Sequence, residues 1–129
     1  IEIMANRMGI DIGELFSLAQ KGNPVSISSM CTVFAESEVI SQIAAGKSKE
    51  DMAAGIVESV VSKVGHLAAR HNTTDKYILT GGLSMNPFFS LRLSEKMGQN
   101  IFTHEMGKYA GAFGAALLAA DKFRQPAAD

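Results

Sequence analysis

With 129 residues, 47% hydrophobic and 19% charged, the chain has a globular composition and would bury about two-thirds of its unfolded surface, which excludes disordered and fibrous classes. Twelve basic against thirteen acidic side chains leave a net charge of -1, so the chain lacks the electrostatic footprint of a nucleic-acid binder. No apolar run reaches the ~20 residues that span a bilayer, the start has no signal-peptide pattern, and the single Cys31 cannot form an internal disulfide; a cytoplasmic location with no membrane partner is expected.

The chain opens on a helical stripe of Ile1, Met4, Ala5 and Met8 with no initiator Met and no capping residue before it, so it reads as a piece of a longer protein cut within a helix. After Gly9, Asp11 with Glu14 three residues on has the pattern of a capping box, and Leu15, Phe16, Leu18 and Ala19 form the buried side of the helix it starts. Gly22 and Asn23-Pro24 end that helix. Val25 to Ser29 alternates as a short extended segment, and Val33 to Ala45 predicts a helix stopped by Gly46, with Val33, Phe34, Val39, Ile40 and Ile43 as its apolar residues.

Ser48, with Glu50 and Asp51 in the first turn, starts the longest helix, which runs to about Arg70. Met52, Ile56, Val57, Val60, Val61, Val64, Leu67 and Ala68 recur at helical intervals and predict one broad core face. Tyr77 to Thr80 reads as a buried strand. Asn86 is a good N-cap and Pro87 a good first helical residue, while Gly98 is placed to end that helix after Phe88, Phe89, Leu91 and Met97. Ile101 to Thr103 reads as the next strand, so the stretch forms a βαβ unit with parallel strands and a right-handed crossover.

A final helix is expected from Lys108 to Phe123. On it Gly107, Gly111 and Gly114 share a face that allows a neighbouring backbone to pack closely. Residues 124–129 are expected to fray, and residues 1–129 read as one domain without repeats or linkers. The fold class is α/β, helix-rich, with a small sheet.

The segment richest in chemistry is Tyr77 to Pro87, where an apolar run enters the Gly81-Gly82 turn and then the Asn86-capped helix. Glycines without Cβ let backbone N–H groups approach a ligand, and a helix N-terminus favours oxygen-rich or anionic partners. Read alone, a Gly-Gly pair after an apolar run is more often just a turn. Cys31 alone reads as a small buried hydrophobe. Glu36 and Glu38, two apart on a helix, point to different faces and make no acid/base pair. His66, His71 and His104 show no ligand spacing with one another or with Cys31, and Ser37 and Ser84 lack the setting of a hydrolase nucleophile. Met85 and the scattered methionines read as core filler.

Two segments together go further: Ser28 to Ile40, with its Cys31-Thr32-Val33-Phe34-Ala35-Glu36-Ser37-Glu38-Val39 string, and Ile78 to Asn86 followed by Lys108 to Ala116. In this order and spacing they resemble the activator ATPases, or activases, of 2-hydroxyacyl-CoA dehydratases and benzoyl-CoA reductases. The resemblance covers nearly the whole chain but only the C-terminal half of such an activator. It implies the actin-like fold, in which two ribonuclease-H-like α/β domains clamp ATP. Gly81 and Gly82, with Leu83 and Asn86, then match the motif that approaches the nucleoside, and the glycine-rich helix from Lys108 to Ala116 matches the second connecting helix at the hinge of the cleft.

Members of that family are homodimers sharing one four-iron, four-sulfur (4Fe-4S) cluster. Cys31 matches the second of the two cysteines each subunit gives; the first belongs to a motif before the opening helix. Also absent are the two phosphate-binding motifs that hold magnesium and the ATP phosphates, so the chain alone is expected neither to hydrolyse ATP nor to complete a cluster. The implied function is ATP-dependent delivery of a low-potential electron to a 2-hydroxyacyl-CoA dehydratase or related reductase. Two alternatives stay open at this point: a kinase of the same superfamily, such as an N-acetylglucosamine kinase, which shares the Gly-Gly motif without a need for Cys31, and a non-catalytic interaction module.

Overall fold

The computed structural model describes residues 1–27, 32–70 and 76–124, and places six helices and a two-stranded parallel sheet among them. In chain order these are α1 (Glu2–Arg7), α2 (Ile12–Ala19), α3 (Thr32–Ala44), α4 (Lys49–Ala69), β1 (Tyr77–Ile78), α5 (Pro87–Met97), β2 (Ile101–Phe102) and α6 (Ala110–Arg124). Short 3-10 turns, Gly82–Met85 and Gly107–Tyr109, precede α5 and α6.

The helix starts follow local chemistry. The Asp11 carboxylate accepts from the Glu14 amide at 2.8 Å, the Ser48 hydroxyl from the Asp51 amide at 3.1 Å and the Asn86 side chain from the Phe89 amide at 2.9 Å. Each satisfies one of the donors that a helix N-terminus leaves unpaired. Helix α5 stops at Gly98, whose φ of 63° lies in the left-handed region that glycine enters without a Cβ penalty.

The core is built on α4. Helix α2 packs along it, α5 packs against it further on, and α1 closes over α2. Leu15, Met52, Ile56, Val57, Val61 and Phe89 are almost completely removed from water and fill the space between these helices. At roughly 1.5–3 kcal/mol for each large apolar side chain buried, this cluster is the main stabilising term. Beside it, residues 22–25 lie against α4. The Asp51 carboxylate accepts from the Asn23 amide at 2.7 Å, and a Cβ on Gly22 would sit 2.0 Å from the Glu50 carbonyl oxygen, so only glycine permits the approach.

Strands β1 and β2 run parallel, with Tyr77 opposite Ile101 and Ile78 opposite Phe102. The connection between them contains α5, as the βαβ reading expects. Several expectations need correction. The first strand covers Tyr77–Ile78 rather than Tyr77 to Thr80, and Ile78 is 70% exposed, so it is not a buried strand. Of the extended segment expected over Val25 to Ser29, residues 25–27 form no strand pairing among the described residues, and Ser28 and Ser29 lie outside them. Leu67 is exposed although its spacing placed it on the core face of α4.

The largest difference concerns α6, none of whose residues is buried. A Cβ built on Gly111 or Gly114 meets nothing within 4 Å, so these two glycines do not mediate close packing within the described residues. The frayed tail expected over 124–129 lies outside the described residues except for Arg124, which closes α6.

Candidate functional site

Chain direction changes sharply after β1. The Leu79 amide donates to the Phe102 carbonyl at 2.8 Å, carrying the ladder one step past Ile78, and the Gly81 amide then donates to the Gly107 carbonyl at 3.0 Å. Between these bonds and the next turn, Gly81 adopts φ 86° and ψ -174°, a region essentially reserved for glycine because any Cβ would crowd the backbone. Gly82 has no such backbone demand, and a Cβ on it would meet nothing within 4 Å. The fold therefore explains why residue 81 is glycine and leaves residue 82 unexplained.

The 3-10 turn Gly82–Met85 is closed from both ends. The Ser84 amide and hydroxyl donate to the Gly81 carbonyl at 3.1 and 2.7 Å, and the Asn86 amide donates to the Leu83 carbonyl at 3.1 Å. Asn86 then caps α5, with Pro87 in the first turn, where a missing N–H costs nothing. Ser84 is buried, whereas Gly82 and Met85 face outward.

Opposite this turn stands the N-terminal part of α2. Ile12, Gly13 and Phe16 on that side, with Gly82, Leu83, Met85 and Asn86 on the other, line an open cleft of about 450 Å³. That volume is in the range of small-molecule sites, which are apolar with a few placed polar groups. Here Ile12, Phe16, Leu83 and Met85 are the apolar lining residues, and Asn86, whose Oδ1 caps α5, is the one polar side chain among them. Such a cleft suits a flat, largely apolar ring that carries hydrogen-bonding edges.

Of the residues expected from sequence, the structure brings Gly81, Gly82, Leu83 and Asn86 into one turn, with all but Gly81 lining the cleft. Sequence reasoning did not place Ile12, Gly13 and Phe16 there. The only local signal at that end of α2 was the Asp11 cap, whose carboxylate would lie 3.1 Å from a Cβ on Gly13. Met85 is corrected from core filler to a half-exposed cleft wall, 48% accessible. Cys31 and His71 lie outside the described residues, and His66 and His104 are exposed. Among the described residues no group of three or more His, Cys, Asp or Glu could hold a metal ion, and no helix is long and apolar enough to cross a membrane.

Helices α4 and α5 are tied by charge. Arg92 donates to Glu58 at 2.9 Å and also pairs with Glu95, while Lys96 approaches Glu58 at 3.9 Å. The hydrogen bond that Arg92 donates to Glu58 raises the Arg92 pKa above its usual value; partial burial opposes this, and the nearby charges of Glu58 and Glu95 add to it.

The sequence and the structure both have known counterparts. Residues 1–119 match the profile of the BadF/BadG/BcrA/BcrD ATPase family. The chain is 43% identical over 123 residues to the (R)-2-hydroxyglutaryl-CoA dehydratase activating ATPase of Acidaminococcus fermentans, covering 95% of this chain and 47% of that protein. It is 36% identical over 126 residues to the 2-hydroxyisocaproyl-CoA dehydratase activator of Clostridioides difficile, covering 97% of this chain and 47% of that one. It is also 35% identical over 127 residues to a benzoyl-CoA reductase component of Thauera aromatica, covering 93% of this chain and 45% of that component.

Among solved structures, the A. fermentans dehydratase component A superposes with a TM-score of 0.81 at 43% identity, over 95% of this chain and 48% of that one. The C. difficile activator with bound ADPNP superposes with a TM-score of 0.80 at 32% identity, over 99% of this chain and 50% of that one. The chain thus spans about half the length of the relatives it matches, and has the helix-rich architecture of part of an actin-like ATPase.

Proposed function

The chain belongs to the BadF/BadG/BcrA/BcrD ATPase family, and from that premise we propose that it forms the nucleoside-binding part of an ATP-dependent activator serving a 2-hydroxyacyl-CoA dehydratase or a benzoyl-CoA reductase type enzyme. The single observation that carries the nucleotide reading is Gly82. It borders the cleft with open space where a side chain would stand, and neither its backbone nor its packing requires glycine. A ligand that must come close to the backbone does require it.

In this reading the base and ribose of ATP or ADP enter between α2 and the Gly82–Met85 turn. Gly82 and Leu83 present backbone to the nucleoside, Asn86 offers a polar edge at the head of α5, and Ile12, Phe16 and Met85 exclude water from the ring faces. Magnesium and the phosphates are held by groups outside this chain, so hydrolysis requires the rest of the ATPase. Cys31 is the residue of this chain that would give a thiolate to a shared 4Fe-4S cluster in a homodimer, and such a cluster, when bound, supplies the one-electron reducing power. The cytoplasm is the compartment in which a reduced thiol of this kind persists.

The test is titration of ADP into the chain with NMR detection. Shifts centred on Gly82, Leu83, Asn86, Ile12 and Gly13 are expected, and the absence of any ADP-dependent shift at saturating millimolar ligand would overturn the nucleotide reading. For the cluster, a longer protein that contains this chain is isolated anaerobically and compared with its Cys31→Ser variant. The reading requires bound iron in the first and its loss in the second.

A further inference from the structure

The turn that carries the cleft is held from the side facing away from it. Ser84 is the buried polar residue among those described, 6% exposed, and its hydroxyl donates to the Gly81 carbonyl at 2.7 Å. That carbonyl also accepts from the Ser84 amide at 3.1 Å, and the Gly81 amide is taken by the Gly107 carbonyl at 3.0 Å. Gly107 is itself buried, with its amide donating to the His104 carbonyl at 2.7 Å. A Cβ built on Gly107 would stand 3.0 Å from the Ser84 hydroxyl oxygen, against 3.6 Å from the Ser84 Cβ and 3.7 Å from the Leu79 carbonyl oxygen. Among its neighbours the hydroxyl oxygen alone is tighter than ordinary van der Waals contact, so a side chain there would require that hydroxyl to give by a few tenths of an ångström.

We infer that Ser84 is a positioning residue for the Gly81–Gly82 turn and that Gly107 is its partner: the hydroxyl pins Gly81 in its glycine-only conformation, and a side chain at residue 107 would push that hydroxyl off its bond. The inference rests on the nucleotide reading only for what the turn is positioned to meet. Because Gly107 opens the turn that leads into α6, the same contact fastens the start of α6 to the cleft wall. A displacement of α6 is then transmitted to Gly81 through one backbone hydrogen bond and one hydroxyl. An exposed helix that shares no buried residue with the core gains a specific mechanical link to the site.

Amide hydrogen exchange on the full chain, residue by residue, tests this. Ser84→Ala should speed exchange at Gly81 and Ser84 by about tenfold, the loss of one hydrogen bond, while Val57 and Val61 in α4 keep their protection. Gly107→Ala should act at the same amides, because its new Cβ displaces the hydroxyl. The decisive readout is the double variant: with the hydroxyl gone the Cβ has room, so Ser84→Ala with Gly107→Ala should be no worse than Ser84→Ala alone. Ser84→Thr, which keeps the hydroxyl, should restore slow exchange. Additive effects in the double variant, or unchanged Gly81 exchange in Ser84→Ala, would overturn the inference. If the variants show this exchange pattern while the wild-type chain shows no ADP-dependent shift, the lock stands and the nucleotide reading falls, so the two failures are distinct.

Discussion

Phe16 of α2 and Phe89 of α5 meet edge to face, with ring centroids 6.4 Å apart and planes at 78°. Phe89 is fully buried, and Phe16 is buried at its side while lining the cleft. The pair therefore sets the separation of the two cleft walls from beneath. Removing Phe89 with Phe89→Ala should cost about 3–5 kcal/mol, since it deletes a complete ring from a closed core. Phe16→Leu should cost about 1 kcal/mol, near the worth of an aromatic edge contact, and loosen the cleft. Urea unfolding followed by circular dichroism measures both, and a smaller cost for Phe89→Ala than for Phe16→Leu would contradict this account of the core.

The two glycines of the turn should separate by experiment. Gly81→Ala forces a Cβ into φ 86° and should cost about 1–3 kcal/mol of stability. Gly82→Ala places its Cβ in open space and should change stability by no more than about 0.5 kcal/mol. If Gly82 faces a nucleoside, the same substitution should nevertheless weaken ADP binding at least as much as Gly81→Ala does. Thermal unfolding with parallel ADP titration gives both numbers for each variant. Unimpaired ADP binding by Gly82→Ala would remove the main support for the proposed site.

What the amino-acid order made legible was whatever is settled within one turn of the chain. The caps Asp11, Ser48 and Asn86 bond to amides three residues on, and Gly98 ends α5 through its own φ, so both signals are local and were readable. The glycine pair was readable for the same reason. The cleft was not, because Ile12 and Phe16 reach Leu83 and Met85 only through the packing of α2 and α5 on α4. Periodicity tells which residues share a face and is silent on what that face meets. This is why Leu67 falls on the core face by its spacing yet stands exposed. Gly22 was read as the end of a helix, whereas its structural reason is the backbone of Glu50 lying against it.

The Arg92–Glu58 pair should respond to salt rather than to pH. A guanidinium whose pKa is raised in the folded state contributes stability that is complete below its unfolded pKa and is lost only as pH rises through the folded value. Both values lie in the strongly alkaline range, so no loss from Arg92 is expected across neutral pH. Its side chain is 38% exposed and Glu58's is 28% exposed, so solvent screens the pair. Arg92→Ala should cost about 0.5–1 kcal/mol at low ionic strength, and less in molar salt. Denaturant unfolding at two salt concentrations tests this, and a cost independent of salt would assign the effect to lost packing of the Arg92 stem.

Helix α6 offers the sharpest contrast between this chain and a longer protein that contains it. Gly114 lies inside the helix, and a Cβ there meets nothing within 4 Å. Gly114→Ala should therefore stabilise α6 in this chain by about 1 kcal/mol, the difference in helix propensity between the two residues. Should α6 pack closely against a second helix in a longer protein through Gly111 and Gly114, the same methyl group would meet that neighbour and the sign would reverse. Helix content by circular dichroism and thermal unfolding of wild type and Gly114→Ala, measured in both lengths of the protein, decide the matter. Stabilisation in both lengths would mean that the glycine face of α6 packs against nothing.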